Sequence, residues 1–473
     1  MTDPEPIPLC VDLDGTLVKL DTLHQALFLL LRRSPASIFH IPRWILKGKA
    51  HLKDQVMQRV ALDATVLPYH AEFLAYLKQQ HAAGRPLILA TASNYRTAEA
   101  VAEHLGLFSE TLSSSADTNL RHAQKLSAIQ QRFERFGYAG NDTADFPIWD
   151  AADEVILVNP SRPAHAKYAA QATQVFIERR PLPRMFIKAM RCQQWLKNLL
   201  IFAPMFLAHK FGDLGTLTQA ILAFFSFSFA ASSIYILNDL FDLSADQHHP
   251  RKRNRPFAAG DLPISVGSLL IPLLFLLSLL FGMLLPPSFM LTLLAYYVLT
   301  TLYSWKLKQM AIVDVLCLAI LYSMRIVAGS AATDTAASSW FIVFSIFLFL
   351  SLALVKRLAE LREIQQGPAA EENYRERGYV VDDLPLLMAF GTASAYLAVF
   401  VFTTYLNSDK VVELYSRPEL LWLFCPLLLY WTTRIWMLAW RGQLKDDPLA
   451  FAAKDLNTYV IGALGMAIIL FAI

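Results

Sequence analysis

Residues 238 to 260 read Asn-Asp-Leu-Phe-Asp-Leu-Ser-Ala-Asp-Gln-His-His-Pro-Arg-Lys-Arg-Asn-Arg-Pro-Phe-Ala-Ala-Gly, a packet of acids followed by bases. On a helix turning by about 100° per residue, Asn238, Asp239, Asp242 and Asp246 fall within an arc of roughly 100°, so one amide and three carboxylates face one way. Like charges this close repel unless a hard cation neutralises them. Oxygen-only ligands suit Mg²⁺, which keeps some of its waters and takes a phosphorylated substrate as co-ligand. Arg251, Lys252, Arg253 and Arg255 follow and can hold that phosphate. A basic cluster beside a membrane span also serves simply to set topology. The acids weigh against that reading alone, because carboxylates at the end of the apolar run Ala220 to Leu237 are costly without a partner.

A second set of acids lies near the start. Pro8 to Val11 is a short strand-like run ending in Asp12-Leu13-Asp14-Gly15-Thr16-Leu17. A strand that delivers two acids to its carboxyl end places them where open α/β sheets bind ligands. There one carboxylate can attack phosphorus while the other donates a proton to the leaving oxygen. Pro86 to Ala90 is a second apolar strand, followed by the donors Thr91-Ala92-Ser93-Asn94. Lys125 opens a helical pattern and can offset phosphate charge. Asn141-Asp142-Thr143-Ala144-Asp145 then brings acids to the edge of another strand-like unit, and Val155 to Val158 is a further buried strand.

This ordered set resembles the haloacid dehalogenase superfamily of phosphatases over about residues 7 to 175. The resemblance implies an α/β Rossmann-like domain in which Asp12 is the nucleophile, Asp14 the general acid and base, Thr91 a phosphate hydrogen-bonder and Lys125 the charge anchor. It also implies a Mg²⁺ site formed by Asp12 and Asp14 with Asp145 and Asp142. Asn141 departs from the pattern, standing where the family often has the first acid of its last motif. Leu20 to Leu67 reads as helical, rich in Leu and Phe, and fits a small helical cap that restricts access.

The elements that must position these residues divide into two classes. The first 180 or so residues look globular, whereas the remainder alternates long apolar runs with short polar loops, which raises the hydrophobic share of the 473 residues to 55%. The net charge of +3 is uninformative because the bases are concentrated in particular loops, and no nucleic-acid partner is expected. The start, Met-Thr-Asp-Pro-Glu-Pro, lacks the basic patch and apolar run of a secretory leader, so the N-terminal part is expected in the cytosol. Cys10, Cys192, Cys317 and Cys425 form no ligand spacing and support neither a disulfide framework nor a zinc site. The expected domains are 1–177, a linker with an interfacial helix at 178–198, and a membrane domain at 199–473. Glu178 to Arg184 carries two prolines and marks the boundary. Met185 to Asn198 sets Lys188, Arg191 and Lys197 against Met185, Phe186, Met190 and Trp195, the pattern of a helix lying on a membrane.

Nine apolar segments centre near residues 205, 227, 275, 296, 321, 348, 395, 429 and 464, giving an all-α, nine-helix transmembrane domain. With the N-terminus inside, the cytosolic loops carry fourteen Lys/Arg and the opposite loops only Lys210, Lys410 and Arg417. The positive-inside rule therefore puts both acid sets on the cytosolic side. The cytosolic loops add Tyr303, Lys306, Lys356, Arg357 and the run Arg377-Gly378-Tyr379. Arg325 lies inside an otherwise apolar helix three residues from Tyr322, which points to an anionic partner.

Asn238 to Asp246 matches the first aspartate motif, NDxxDxxxD, of the UbiA superfamily of intramembrane prenyltransferases, which it resembles over about residues 184 to 473. The second acidic motif is incomplete, with Asp314 but Leu318 four residues on. The residues around His249 to Pro256, Gln194 to Asn198 and Tyr303-Ser304 are similar to the branch that makes polyprenyl-phosphate phosphoribose. That resemblance implies phosphoribosyl pyrophosphate and a polyprenyl phosphate as substrates, in a multi-pass protein of a bacterial-type cytoplasmic membrane. Mg²⁺ would sit on Asn238, Asp242 and Asp246, with Asp239 and Asp242 serving catalysis. Arg251, Lys252, Arg253 and Arg255 would bind donor phosphates, with Lys197, Tyr303, Lys306, Arg325, Lys356 and Arg357 as further substrate contacts. The fused phosphatase would remove the 5-phosphate of the lipid product. The rival readings are transfer of a prenyl group from a diphosphate to an aromatic or other acceptor, and a regulatory rather than catalytic N-terminal domain. Oligomeric state is left open.

Overall fold

The computed structural model describes residues 6–115, 118–178, 180–365, 378–444 and 448–473. The chain divides into two compact units, one formed by residues 1–191 with 235–273 and the other by 192–234 with 274–473.

The first unit is built on a parallel sheet of β1 (Leu9–Val11), β2 (Leu87–Asn94), β3 (Glu110–Ser114), β4 (Gly137–Gly140), β5 (Glu154–Val158) and β6 (Gln174–Phe176), in the order β3-β2-β1-β4-β5-β6. This is a doubly wound order whose direction reverses beside β1. Leu9 pairs with both Leu87 and Gly137, so the carboxyl ends of β1, β2 and β4 lie side by side. Parallel sheets are covered on both faces, and β1 accordingly has no exposed side chain. Cys10, Ile88, Tyr138, Ile148 and Trp149 are part of one core packed on the sheet. The strand expected at 86–90 runs on to Asn94, with a register irregularity between Ala90 and Asn94 that re-aims Thr91 to Ser93.

Between β1 and β2 the expected helical cap is present. It comprises α1 (Thr22–Arg33), a 3₁₀ turn (Pro35–Phe39), α2 (Ile41–Leu46) and α3 (Lys49–Met57). The Asp21 side chain accepts from the His24 amide to start α1, and Arg32 and Arg33 in its last turn suit the negative end of the helix dipole. Leu23, Leu30, Trp44, Leu52, Val56 and Met57 close a small core of their own.

The second unit is helical. Each of the nine apolar centres falls in a helix, but among the described residues six spans are long and apolar enough to cross a membrane: Leu214–Phe241, Ile264–Gly282, Val313–Thr333, Ser339–Glu363, Val381–Leu406 and Pro418–Trp440. The other three centres lie in Ala203–Leu207, Pro287–Trp305 and Leu456–Ala472. Ala203–Leu207 has only five residues, with Pro204 at its start, where the ring suits a first turn.

Close helix contact in this unit depends on small residues. A Cβ at Gly329 would stand 2.0 Å from the carbonyl oxygen of Ile201, a backbone atom that no rotamer change can move aside. Gly329→Ala is therefore expected to cost about 1–3 kcal/mol and to lower the thermal unfolding midpoint in detergent. Gly462→Ala, where nothing lies within 4 Å, should leave that midpoint unchanged or higher.

Candidate active sites

Asp12 leaves β1 with its amide bonded to the Ala139 carbonyl, at 3.0 Å. Its Oδ1 accepts from Lys125 Nζ at 2.9 Å; the same ammonium donates to Tyr138 Oη at 2.9 Å, and Tyr138 donates in turn to Asp145 Oδ1 at 2.8 Å. Burial works against the Lys125 charge, but Asp12 and Asp145 outweigh it and hold the ammonium protonated. Asp14 accepts from the Thr22 amide at 2.9 Å and from the Ser93 hydroxyl. Burial, then the charge of Asp21, pushes Asp14 up to about 7, the range that suits a group exchanging protons near neutrality. Gly15 turns the chain at φ +76°, and a Cβ there would meet Asn141 Nδ2 at 2.2 Å, so the turn after the two acids requires glycine.

These residues open onto a cavity of about 420 Å³ whose lining includes Asp12, Asp14, Asp21, His24, Arg121, Lys125, Asn141 and Asp142. Among the described residues no three His, Cys, Asp or Glu side chains converge as a metal-ligand set. The wall nevertheless offers carboxylate and amide oxygens from Asp12, Asp14, Asn141 and Asp142. That set fits Mg²⁺, which needs only one or two carboxylates beside water and substrate oxygens. Asp145, expected as a metal ligand, does something else here. Its Oδ2 accepts the amides of Asn141 at 3.0 Å and Asp142 at 3.1 Å, so both its oxygens hold the loop and Tyr138. Thr91, expected on the phosphate, is buried and accepts the Ser93 amide at 3.0 Å, and its neighbour Ala92 lines the cavity instead.

The acid motif departs from one continuous helix. The Leu214–Phe241 helix stops before Asp242, and a separate helix, Leu243–His248, carries Asp246. The acids still converge, and arginines neutralise them where a hard cation was expected. Arg255 Nη1 meets Asp239 Oδ1 at 3.1 Å and Asp246 Oδ2 at 2.5 Å, Arg191 also reaches Asp239, and Arg32 Nη1 meets Asp242 Oδ1 at 2.7 Å. Burial, countered by Arg255, pushes Asp246 up to about 6. Arg255, expected on a donor phosphate, thus bridges two acids. Asp239 and Asp246 bring two carboxylate oxygens to one positive centre, the arrangement a hard cation would also need, although among the described residues no three His, Cys, Asp or Glu side chains converge there. Arg251 and Arg253 are exposed and Lys252 is half-buried.

In the helical unit the cations are occupied differently from expectation. Arg357 and Asp314 form an ion pair with no exposed side-chain surface, joined by Tyr379, Glu360 and Tyr303. Arg357 is therefore a buried counter-ion rather than an open phosphate contact. Arg325 donates to Asn198 Oδ1 at 2.8 Å, to Tyr296 Oη at 3.2 Å and to the Leu321 carbonyl, and its guanidinium lies 5.2 and 5.4 Å from the ring centres of Tyr296 and Tyr322. These partners are neutral, and they satisfy the charge without the anion that the sequence suggested. Lys197 lies over the Tyr322 ring at 5.3 Å. Lys306 is exposed at the end of Pro287–Trp305, Tyr303 and Lys356 are half-buried, and Arg377 lies outside the described residues.

A family model described as the UbiA prenyltransferase family matches residues 199–461. The chain belongs to the UbiA prenyltransferase family. A model described as haloacid dehalogenase-like hydrolase matches residues 9–148, so this UbiA-family chain carries a hydrolase-like domain ahead of its membrane part, and both descriptions name enzymes. An uncharacterized protein, y4nM, of Sinorhizobium fredii is 35% identical over 97% of this chain and 89% of its own length. Nodulation protein NoeC of Azorhizobium caulinodans is 30% identical over 60% of this chain and 91% of its own. Decaprenyl-phosphate phosphoribosyltransferase of Mycobacterium tuberculosis is 34% identical over 39% of this chain and 62% of its own.

In this UbiA-family member Ser93 belongs to the expected donor run Thr91 to Asn94, whereas Asp21, His24, Arg121, Arg32 and Arg191 are site neighbours that the sequence did not single out. Ser93 had a local signal, as the second hydroxyl past the end of an apolar strand. Arg32 had none, since 210 positions separate it from Asp242. The buried pair separates a structural role from a substrate-binding one. Arg357→Ala should destabilise by about 3–5 kcal/mol by stranding Asp314, and Arg357→Met combined with Asp314→Leu should recover most of that. Thermal unfolding of the three proteins in one detergent measures it, and unchanged stability of the single variant would return Arg357 to the substrate.

Proposed function

We propose that the chain makes polyprenylphosphoryl ribose in two steps, with residues 199–473 as the transferase, 1–177 as the phosphatase and 178–198 joining them. In the first step an oxygen of a polyprenyl phosphate attacks the anomeric carbon of phosphoribosyl pyrophosphate. The bond from that carbon to the pyrophosphate oxygen breaks, and pyrophosphate leaves with the electron pair. Asn238, Asp242 and Asp246 would hold Mg²⁺, which supplies charge neutralisation for the pyrophosphate. Asp239 keeps Arg191 and Arg255 in place beside them, and Arg251, Lys252 and Arg253 bind donor phosphates, the arginines through planar forks. Lys197, Lys306 and Lys356 are assigned to the 5-phosphate or the lipid phosphate.

In the second step Asp12 attacks the phosphorus of the 5-phosphate, and the bond to the ribose oxygen breaks as Asp14 donates its proton to that oxygen. Water then attacks phosphorus in the phosphoaspartyl group, Asp14 takes the proton, and phosphate leaves while Lys125 balances its charge. Mg²⁺ on Asp12, Asp14 and Asp142 would neutralise the phosphoryl oxygens. Covalent linkage raises the local concentration of the second catalyst around the first product. Nine apolar helices in a bacterial cytoplasmic membrane, with both centres on the cytosolic side, complete the proposal.

The observation that carries this reading is the acid motif paired to three arginines, in the same chain as a buried cluster of Asp12, Lys125 and Asp145 at a polar cavity. The similarity to a protein named decaprenyl-phosphate phosphoribosyltransferase supports the choice of donor. The family description favours prenyl transfer from a diphosphate as the second reading, and Asp314, spent on Arg357 with Leu318 four residues on, weighs against it.

Mass spectrometry of lipids after incubation with phosphoribosyl pyrophosphate, polyprenyl phosphate and Mg²⁺ tests both steps. The expected product is polyprenylphosphoryl ribose without a 5-phosphate. Asp12→Asn should accumulate the phosphorylated form, with phosphate release lowered by about 10³-fold or more. Asp242→Asn should abolish both products, and labelled prenyl diphosphate turning over in their place would establish the second reading.

A further inference from the structure

The cap of the first unit has a surface that neither reaction step uses. No Asp or Glu occurs between Asp21 and Asp54, while Arg32, Arg33, Arg43, Lys47, Lys49 and Lys53 do. Within this stretch the 3₁₀ turn and α2 leave four large apolar side chains outside: Ile38 at 55%, Phe39 at 83%, Ile45 at 56% and Leu46 at 88% exposure. The hairpin is not loosely attached, because Trp44 between them is buried in the cap core under the Arg59 guanidinium, 4.7 Å from its ring centre. Its apolar side is therefore held outward. A fixed apolar patch with a cationic surround and no acid is the composition of an element that lies in a membrane interface, where anionic headgroups meet the bases and the acyl boundary takes the apolar side chains.

The position of α1 supplies an independent reason. Its Phe28 ring packs edge-on to Phe241 with centres 5.8 Å apart, and Arg32 donates to the Phe241 carbonyl at 3.2 Å as well as to Asp242. Phe241 is the last residue of a helix long and apolar enough to cross a membrane. The 3₁₀ turn begins three residues after Arg32, a reach of about 10 Å at most, so the hairpin leaves the cap at the level where a span meets the headgroups.

From this we infer that Pro35–Leu46 is a membrane-dipping hairpin, seating Ile38, Phe39, Ile45 and Leu46 at the acyl boundary and Arg33, Arg43, Lys47 and Lys49 on the phosphates of anionic phospholipid. The same cap borders the hydrolase-like cavity through Asp21 and His24, and Lys53 of α3 donates to the Ala92 carbonyl at the end of β2. The cavity thus takes its substrate class from the hairpin, a phosphomonoester carried on a lipid at the bilayer surface. That last step rests on the phosphatase reading above, whereas insertion of the hairpin does not.

The full chain in nanodiscs of phosphatidylcholine, with or without phosphatidylglycerol, tests the inference. A bimane label at Phe39→Cys is read by quenching from lipids doxylated high on the acyl chain. Glu134→Cys, exposed elsewhere on the domain, is the comparison, and the unsubstituted protein gives the background from its own thiols. Quenching several-fold stronger at 39 than at 134, and stronger again with phosphatidylglycerol, is expected, and equal quenching at the two sites overturns the insertion. Phe39→Asp with Leu46→Asp should lower turnover of a lipid-borne ribose 5-phosphate by about tenfold or more, with p-nitrophenyl phosphate turnover unchanged. Equal effects on the two substrates overturn the assignment of substrate class. Absence of turnover with either substrate in the unsubstituted protein overturns the phosphatase reading, and the quenching result stands apart from it.

Discussion

The buried carboxylates Asp12, Asp145, Asp239, Asp246 and Asp314 must each be given a cation, and the architecture around each supplies one. An ionised carboxylate out of water is costly unless it is paired and hydrogen-bonded. Lys125 serves Asp12 and lies 3.8 Å from Asp145, Arg255 serves Asp239 and Asp246, and Arg357 serves Asp314. The three pairs differ in what else they can do. Asp12 lines a cavity beside Lys125, whereas Asp239 and Asp246 are buried and it is Arg255, about a quarter exposed, that stands partly open. The Arg357 pair is sealed on all sides, and its charge is committed to holding helices together.

This requirement explains the shape of the first unit. A doubly wound sheet brings the ends of β1, β2 and β4 together, so that Asp12 and Asp14 just past β1, Ser93 near the end of β2, and Asn141 to Asp145 just past β4 lie at its carboxyl edge. Lys125 comes from a helix between β3 and β4, long enough to reach across to β1. The cap then contributes in two directions. At the start of α1 the Thr22 amide donates to Asp14 and Asp21 adds to the burial that raises it, while Arg32 at the end of α1 neutralises Asp242. One helix of about 12 residues therefore touches both acid sets of the unit.

The helical unit solves the same problem with fewer charges. Arg325 is held by an amide, a hydroxyl, a carbonyl and two aromatic rings, with Asn198 fixed in turn by Ser228 at 2.9 Å. A guanidinium is more weakly hydrated than an ammonium and has five donors, which is why an arginine and not a lysine can be settled by neutral groups inside an apolar bundle.

Periodicity and spacing alone were enough to separate a sheet domain from an apolar helical one, to find the two acid motifs, and to place a cap between the first two strands. Those are local properties: a strand ending in Asp-x-Asp, a run of Leu and Phe, or acids at helical intervals each announce themselves within a dozen residues. The short strands β3 and β6 were not legible, being half-exposed edges with little apolar signal. The partners of the charges could not be read either, because pairing joins positions far apart in the chain. Nothing near Asp242 points to Arg32, and nothing near Asp314 points to Arg357 or Tyr379. A carboxylate's sequence neighbours show that it needs a counter-charge, and only the tertiary structure decides whether a metal, a substrate phosphate or an arginine is close enough to provide it.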